Sequence, residues 1–140
     1  MTPLPPGLNL TNESKEAGTN RQREYAVAFP YQSVVGALMY LAVHTRPDMA
    51  YTVNLLTRFD IRPTYGAYQA ALHTLMYLDN TVKHGIVFPN LTDEESLRAY
   101  SDADWAGDLD TSRSTTGYIV YLWGAPVAWQ SRLQSTVAAE

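Results

Sequence analysis

The 140-residue sequence predicts an α+β fold in which a helical first part is followed by a β-meander. Apolar residues recur with helical spacing after Pro30, whereas beyond Gly85 they fall in short runs rich in β-branched and aromatic residues. Proline-containing breaks divide the first part, and turn-forming residues divide the second. We therefore expect an extended, poorly ordered lead-in (residues 1–29), a helical part (30–84) and a strand part (85–140).

Three helices are predicted in the helical part. The first begins after Pro30 and stops at the break "HTRPD", since Pro47 pushes Arg46 away from helical geometry. The second begins at Pro47, and the third follows Thr64, a suitable N-cap. The predicted buried faces are Val34, Val35, Leu38, Met39, Leu41 and Ala42; Met49, Val53, Leu56 and Phe59; and Tyr68, Ala71, Leu72, Leu75 and Met76.

The strand part contains four candidate strands. Gly85–Phe88 is a short one, followed by the turn "PNLTDEE". Leu97–Asp102 comes next, and Gly117–Leu122, with the sequence "GYIVYL", has the stronger pattern. The turn "WGAP" then leads into Val127–Ser131.

Composition limits the classes of function. With 46% hydrophobic and 17% charged residues, the chain has the composition of a globular protein rather than a disordered one. It has no cysteine, which rules out disulfides and thiolate metal sites. The net charge of -4 argues against a protein that binds nucleic acid on its own.

The segment "LRAYSDADWAGDLD" contains four aspartates, at positions 102, 104, 108 and 110. Counted from Asp102 as an EF-hand calcium loop, Asp104 and Gly107 fit the pattern. Ala106 and Arg113, however, stand where oxygen ligands are required. A calcium loop is therefore disfavoured.

Asp102 lies within a predicted strand, whereas the later aspartates follow it in a turn. Arg98, Tyr100 and Asp102 share one face of a strand that we expect to be buried. A buried carboxylate needs an ion-pair partner such as Arg113, hydrogen bonds or a metal, and the residues alone leave these alternatives open. The later aspartates, Asp104, Asp108 and Asp110, are interpreted as solvated turn residues.

Other candidate residues carry a weaker signal. The three histidines have no metal-ligand spacing, and we expect them to be structural or exposed; they are His44, His73 and His84. The three tryptophans could stack on nucleic-acid bases, but packing is the favoured interpretation because so little basic charge lies nearby; they are Trp105, Trp123 and Trp129.

Several consecutive segments resemble the Pol polyprotein of copia-type LTR retrotransposons. They are "TPLPPGLNL", "YQSVVGALMYLAVHTRPDMAYTVNLLTRF", "ALHTLMYLDNTVKHGIVF" and "YSDADWAGDLDTSRSTTGYIVYLWGAPVAWQSRLQSTVA". The resemblance covers nearly the whole chain in the family's order. It implies a helical connection, or tether, that follows the reverse transcriptase and leads into an incomplete ribonuclease H-like fold. The meander would be the N-terminal half of that fold.

The resemblance also assigns a role to one residue. Asp102 matches the first carboxylate of the family's ribonuclease H site, where it would be a catalytic residue and a metal ligand. The parent family uses Mg²⁺ to cleave RNA in an RNA–DNA hybrid, which requires several carboxylates. The next family carboxylate does not match Glu140, which falls too early. The isolated chain is therefore expected to be inactive and not to bind Mg²⁺ tightly.

Partners and location follow as expectations. The N-terminus has no signal-peptide pattern, and no apolar run in the sequence reaches the length needed to span a membrane. We expect an intracellular protein, in a cytoplasmic particle or the nucleus, that is not secreted and does not enter membranes. Its open strand edges favour self-association or pairing with the remaining Pol segments. The alternative function is a non-catalytic interaction module, or a remnant, that associates with another Pol chain.

Overall fold

The computed structural model describes residues 1–8, 10, 28–89, 96–104, 107–108 and 111–137. Within them, three α-helices precede a three-stranded antiparallel sheet, which confirms the predicted α+β class and is consistent with an incomplete ribonuclease H-like fold. The helices are α1 (Tyr31–His44), α2 (Ala50–Thr57, after a 3₁₀ turn at Pro47–Met49) and α3 (Tyr65–Asn80). The strands are β1 (Leu97–Ala103), β2 (Thr115–Leu122) and β3 (Ala125–Leu133). We call α1–α3 the helical unit and β1–β3 the sheet.

The helix boundaries follow the predicted signals. Arg46 has non-helical backbone angles before Pro47 (φ -131°, ψ 70°), which separates α1 from the 3₁₀ turn. The Thr64 hydroxyl accepts a hydrogen bond from the Ala67 backbone N–H at 3.2 Å and so caps α3. No helix in the described ranges combines the length and apolar character needed to cross a membrane.

The apolar core lies in the helical unit and includes one residue from the lead-in. Tyr31 packs edge-to-face on Tyr68, with ring centroids 5.3 Å apart, and its hydroxyl donates to the Leu56 carbonyl at 2.8 Å. Burial raises the pKa of this hydroxyl, with a smaller contribution from Asp60. The core cluster consists of Leu10, Tyr31, Val35, Leu38, Ala42, Met49, Val53, Leu56, Ala67, Tyr68, Ala70, Ala71 and Tyr77.

The buried face of α3 includes the predicted Tyr68 and Ala71, but it does not include the predicted Met76. Met76 is 59% exposed, whereas Ala67, Ala70 and Thr74 are fully buried. Small side chains let this face approach the other helices closely, and the hydroxyl of Thr74 is satisfied by the Ala70 carbonyl at 2.8 Å. Apolar spacing alone favoured the larger side chains beside this face.

Where the structure describes the lead-in, some of its residues contact the helical unit. The Thr74 hydroxyl lies 3.1 Å from the Pro3 carbonyl, and a ring nitrogen of His73 lies 3.0 Å from the Thr2 carbonyl. Leu10 is 3% exposed. Thr2, Pro3 and Leu10 therefore contact the helical unit.

The sheet has the strand order β1-β2-β3. Leu122 pairs with Ala125 across a two-residue turn in which Trp123 and Gly124 both have positive φ, of 46° and 80°. Positive φ at both central residues matches the twist of a hairpin, although Trp is strained in that conformation. A register shift between Val120 and Tyr121 interrupts the β2–β3 ladder.

Two predictions about strands were wrong. Gly85–Phe88 forms no strand, and its residues lack a pairing partner among those described. β1 exists, but all seven of its residues are exposed rather than buried. Alternation identifies the two faces of a strand; it does not show whether another element covers either of them.

Candidate functional site

An open groove of about 410 Å³ lies between the sheet and the start of α2. Pro47 and Tyr51 form its helical wall, while Tyr100, Asp102 and Trp129 lie on the sheet side. Trp129 also connects the sheet to α1, since its indole N–H donates to the Ala42 carbonyl at 2.6 Å. The packing role favoured for Trp129 is thus observed, while Trp123 is 53% exposed at the hairpin turn.

Asp102 lies near the end of β1 with its side chain exposed to the groove. Its strand partner is Gly117, so no side chain stands directly across from it on β2. One carboxylate oxygen accepts a hydrogen bond from the Ala103 backbone N–H at 2.9 Å. Among the described residues, neither ion pair includes Asp102, and the proposed partner Arg113 instead offers its carbonyl to the Asp108 N–H.

Asp104 also lines the groove, but its carboxylate has a structural role. One of its oxygens accepts a short hydrogen bond from the Thr115 backbone N–H, and its own N–H donates to the Thr115 carbonyl at 3.1 Å. Gly107 makes room for this carboxylate, because an added Cβ there would clash with it. Asp104 is exposed, as expected of a turn residue, yet it ties the turn to β2.

Asp108 is the aspartate for which the solvated-turn interpretation was wrong. It is 8% exposed, and its carboxylate lies 3.5 Å from the Arg58 guanidinium at the end of α2. The Thr111 hydroxyl donates a short hydrogen bond to it, and Arg58 also reaches the Thr115 hydroxyl at 3.3 Å. Asp108 thus joins the sheet to the helical unit, a contact that spans 50 positions of sequence and has no local signal.

The remaining candidates do not converge on Asp102. Trp105, Asp110 and Glu140 lie outside the described residues. His44 hydrogen-bonds its own helix at the Tyr40 carbonyl and contacts the Tyr40 ring, and His84 is exposed. In the part of the chain that the structure describes, no group of three or more histidine or carboxylate side chains is arranged to bind a metal ion.

A second polar cluster, which the sequence did not reveal, lies at the break between α1 and α2. Arg46 is 4% exposed and donates two hydrogen bonds to Asp48, at 3.0 and 2.7 Å, and one to the Thr81 hydroxyl at 2.7 Å. The Tyr77 hydroxyl donates to Asp48 at 2.7 Å. The cluster therefore ties the break to the end of α3.

The protonation of this cluster is set by its hydrogen bonds. Burial alone would raise the pKa of the Asp48 carboxyl, but the hydrogen bonds from Arg46 and Tyr77 outweigh it, so that pKa lies below its ordinary value. The hydrogen bond to Asp48 raises the pKa of Arg46. Both groups are thus held in their charged forms.

Comparison with curated proteins identifies relatives of the whole segment. Over 107 residues the chain is 50% identical to the retrovirus-related Pol polyprotein from transposon RE1 of Arabidopsis thaliana, a match that covers 76% of this chain. Over 137 residues, or 98% of this chain, it is 37% identical to the Pol polyprotein from transposon TNT 1-94 of Nicotiana tabacum. The chain belongs to the Pol family of copia-type retrotransposons.

The Pol relatives are much longer than this chain, which spans 7% and 10% of those two polyproteins. A relative of similar extent is a protein of Plasmopara viticola named secreted RxLR effector protein 161. It is 47% identical over 109 residues, which cover 78% of this chain and 76% of that protein. No protein-family model matches this Pol segment, and no solved structure matches it.

Proposed function

We propose that this chain is the Pol segment that connects the reverse transcriptase to the ribonuclease H domain and begins that domain. The parent activities would be RNA-directed DNA synthesis and cleavage of RNA in an RNA–DNA hybrid. Asp102 would be the first ribonuclease H carboxylate. The observation that carries this proposal is the open groove at the end of β1, where Asp102 lies opposite Gly117 with no side chain directly across from it on β2.

The residues described here do not by themselves fit a two-metal nuclease centre. Two Mg²⁺ ions about 3.5–4 Å apart need several carboxylates to balance their charge. Asp102 and Asp104 are the carboxylates described in the groove, and Asp104 already accepts a backbone hydrogen bond. We therefore expect the isolated chain to bind Mg²⁺ weakly and to lack nuclease activity.

Cleavage assays with the isolated chain and with a completed domain test this proposal. Incubation of the chain alone with a labelled RNA–DNA hybrid and Mg²⁺ should give no cleavage. Addition of the following Pol segment should restore Mg²⁺-dependent cleavage, and Asp102→Asn should abolish it. Asp79→Asn, at an exposed carboxylate on α3, is the matched control and should leave the restored activity unchanged.

Two results would contradict the assignment. Cleavage by the isolated chain that disappears in Asp102→Asn would show that the site is already complete. Restored cleavage that survives Asp102→Asn would show that Asp102 is not a catalytic residue.

The Pol segment would be located inside the cell, in a cytoplasmic particle or the nucleus. A second candidate function is a non-catalytic interaction module. One observation favours it: this chain covers 76% of a relative whose name describes an effector rather than a polyprotein. Such a module would associate with a second copy of itself or with the remaining Pol segments. A pull-down that captures the following Pol segment without restoring cleavage would favour this function over the nuclease.

A further inference from the structure

The outer edge of β1 presents unpaired backbone groups in a regular order. The Trp123 N–H donates to the Ser96 carbonyl at one end of the β1–β2 ladder, and the Asp104 N–H donates to the Thr115 carbonyl at the other. Because hydrogen-bonded and non-hydrogen-bonded pairs alternate in an antiparallel ladder, the even-numbered residues of β1 bond to β2. The odd-numbered residues direct their N–H and C=O groups outward, where no described strand pairs with them. These residues are Leu97, Ala99, Ser101 and Ala103.

This edge is accessible because the helical unit packs elsewhere. α2 and the 3₁₀ turn contact β3, at the opposite side of the sheet. Every residue of β1 is exposed, including Leu97 at 66% and Tyr100 at 56%. A long, exposed edge with apolar side chains is a template for pairing with another strand.

The sequence of β1 complements itself when the strand is reversed. Two antiparallel copies that overlap along all seven residues share a two-fold axis at Tyr100. In that register Arg98 of one copy stands opposite Asp102 of the other, in a non-hydrogen-bonded pair, where side chains come closest. Both residues lie on the same face as Tyr100, so opposite charges and two aromatic rings meet across the axis.

We propose that two copies of this chain associate through their β1 edges, antiparallel about Tyr100, with Arg98 of each copy paired to Asp102 of the other. The proposal specifies the self-association given above as part of the second candidate function. It does not depend on the nuclease assignment. The outward groups of Leu97 pair with those of Ala103, and the groups of Ala99 pair with those of Ser101.

Dimer formation would replace one hydrogen bond that the single chain makes within itself. Asp102 currently accepts a bond from the Ala103 N–H, which points to the open edge. In the dimer that N–H donates to the Leu97 carbonyl of the second copy, and the carboxylate turns to Arg98 of the second copy. A guanidinium has five N–H donors, so Arg98 can keep a contact within its own chain and make this one as well.

Single cysteine variants test the register directly, because the chain has no cysteine of its own. A disulfide requires Cα atoms about 4.4–6.8 Å apart, which holds between two copies only for the residue on the axis. Tyr100→Cys should therefore form a disulfide-linked dimer under mild oxidation, read by gel electrophoresis without reductant. Ala99→Cys and Ser101→Cys are the matched controls; they should still associate, but should form little disulfide-linked dimer.

Charge exchange tests the Arg98–Asp102 pairing. Arg98→Glu and Asp102→Arg should each raise the dimer dissociation constant about tenfold, because each places like charges opposite one another twice per dimer. The double variant restores opposite charges and keeps the net charge of the native chain, so it should recover the native constant. Sedimentation velocity from low to high micromolar concentration gives the constants. Arg132→Glu, at an exposed position on β3, is the control and should have no effect.

Each alternative outcome overturns a defined part of the proposal. Cross-linking by Ala99→Cys or Ser101→Cys instead of Tyr100→Cys would overturn the register while leaving self-association. A dimer dissociation constant that neither charge reversal changes would overturn the pairing of Arg98 with Asp102. A chain that stays monomeric at high micromolar concentration, or that pairs only with the following Pol segment, would overturn the dimer itself. Circular dichroism confirms that each variant is folded.

Discussion

The helical unit and the sheet are stabilised in different ways, although they contain similar numbers of secondary-structure elements. Leu38, Met49 and Leu56 are shielded completely or almost completely from solvent by neighbouring helices. In the sheet, the buried apolar side chain among the described residues is Ala125, and β1 is exposed throughout. Strand pairing and a few contacts with the helical unit therefore stabilise the sheet. The helices bury their apolar side chains against one another, whereas a three-stranded sheet can bury its faces only against another layer of structure.

The largest expected difference comes from making the same substitution in each region. Leu38→Ala, at a side chain that is 1% exposed, should lower the free energy of unfolding by about 2–5 kcal/mol, because it leaves a cavity among the helices. Leu97→Ala, at 66% exposure, should change it by less than about 0.5 kcal/mol. Urea unfolding followed by helical circular dichroism measures both.

The protein concentration in this comparison should be low enough to keep the chain monomeric. If both variants lowered the free energy of unfolding equally, the contrast between a closed core and an open sheet would be contradicted. A large cost for Leu97→Ala that appears only at high protein concentration would instead indicate that association covers β1.

A smaller effect tests how the two regions are joined. Arg58→Ala removes the cation beside Asp108, and the turn between β1 and β2 should loosen. Breaking a buried ion pair can cost about 3–5 kcal/mol, but the 3.5 Å separation is long, so we expect about 1–3 kcal/mol. Amide exchange in β2 should accelerate, while exchange in the core of α1 should not.

Arg62→Ala is the matched control for this contact, since Arg62 is exposed in the same connection after α2. It should leave amide exchange unchanged. If Arg58→Ala speeds exchange equally in α1 and β2, the ion pair supports the whole molecule and does not specifically anchor the turn. Unchanged exchange in β2 would show that the contact between Arg58 and Asp108 does not anchor the turn.

The helices were predictable because their signals are local. Helical spacing, the proline at position 47 and the cap at Thr64 each act within a few residues, and each has the predicted effect in the structure. The burial of β1 was not predictable, because it depends on whether a distant segment covers the strand. The burial of Asp108 was missed for the same reason, because its partner Arg58 lies far away in sequence. Asp102 was singled out by resemblance, and its catalytic role stays a prediction.

The smallest expected effect is the pH dependence of stability that Asp48 contributes in the helical unit. Because hydrogen bonds from Arg46 and Tyr77 hold the folded pKa of Asp48 below its ordinary value, ionised Asp48 stabilises the fold. That contribution is present above the ordinary pKa and disappears as the pH falls through the lower folded value. The side chain is 36% exposed, so solvent screening keeps the effect small. The difference in unfolding free energy between the native chain and Asp48→Asn should therefore be largest near neutral pH and shrink in acid.

Asp60 provides the control, because its pKa is shifted in the opposite direction from that of Asp48. Burial raises the pKa of its carboxyl, and one of its oxygens has no hydrogen-bond partner among the described residues, so ionised Asp60 opposes folding. Asp60→Asn should stabilise the chain at neutral pH, and its advantage should diminish in acid as the native carboxyl becomes protonated. Urea titrations of the three proteins between neutral pH and about pH 3 would show both trends. If Asp48→Asn also stabilises the chain at neutral pH, the hydrogen bonds from Arg46 and Tyr77 do not outweigh the burial of Asp48, and if Asp60→Asn destabilises the chain, burial does not disfavour ionised Asp60.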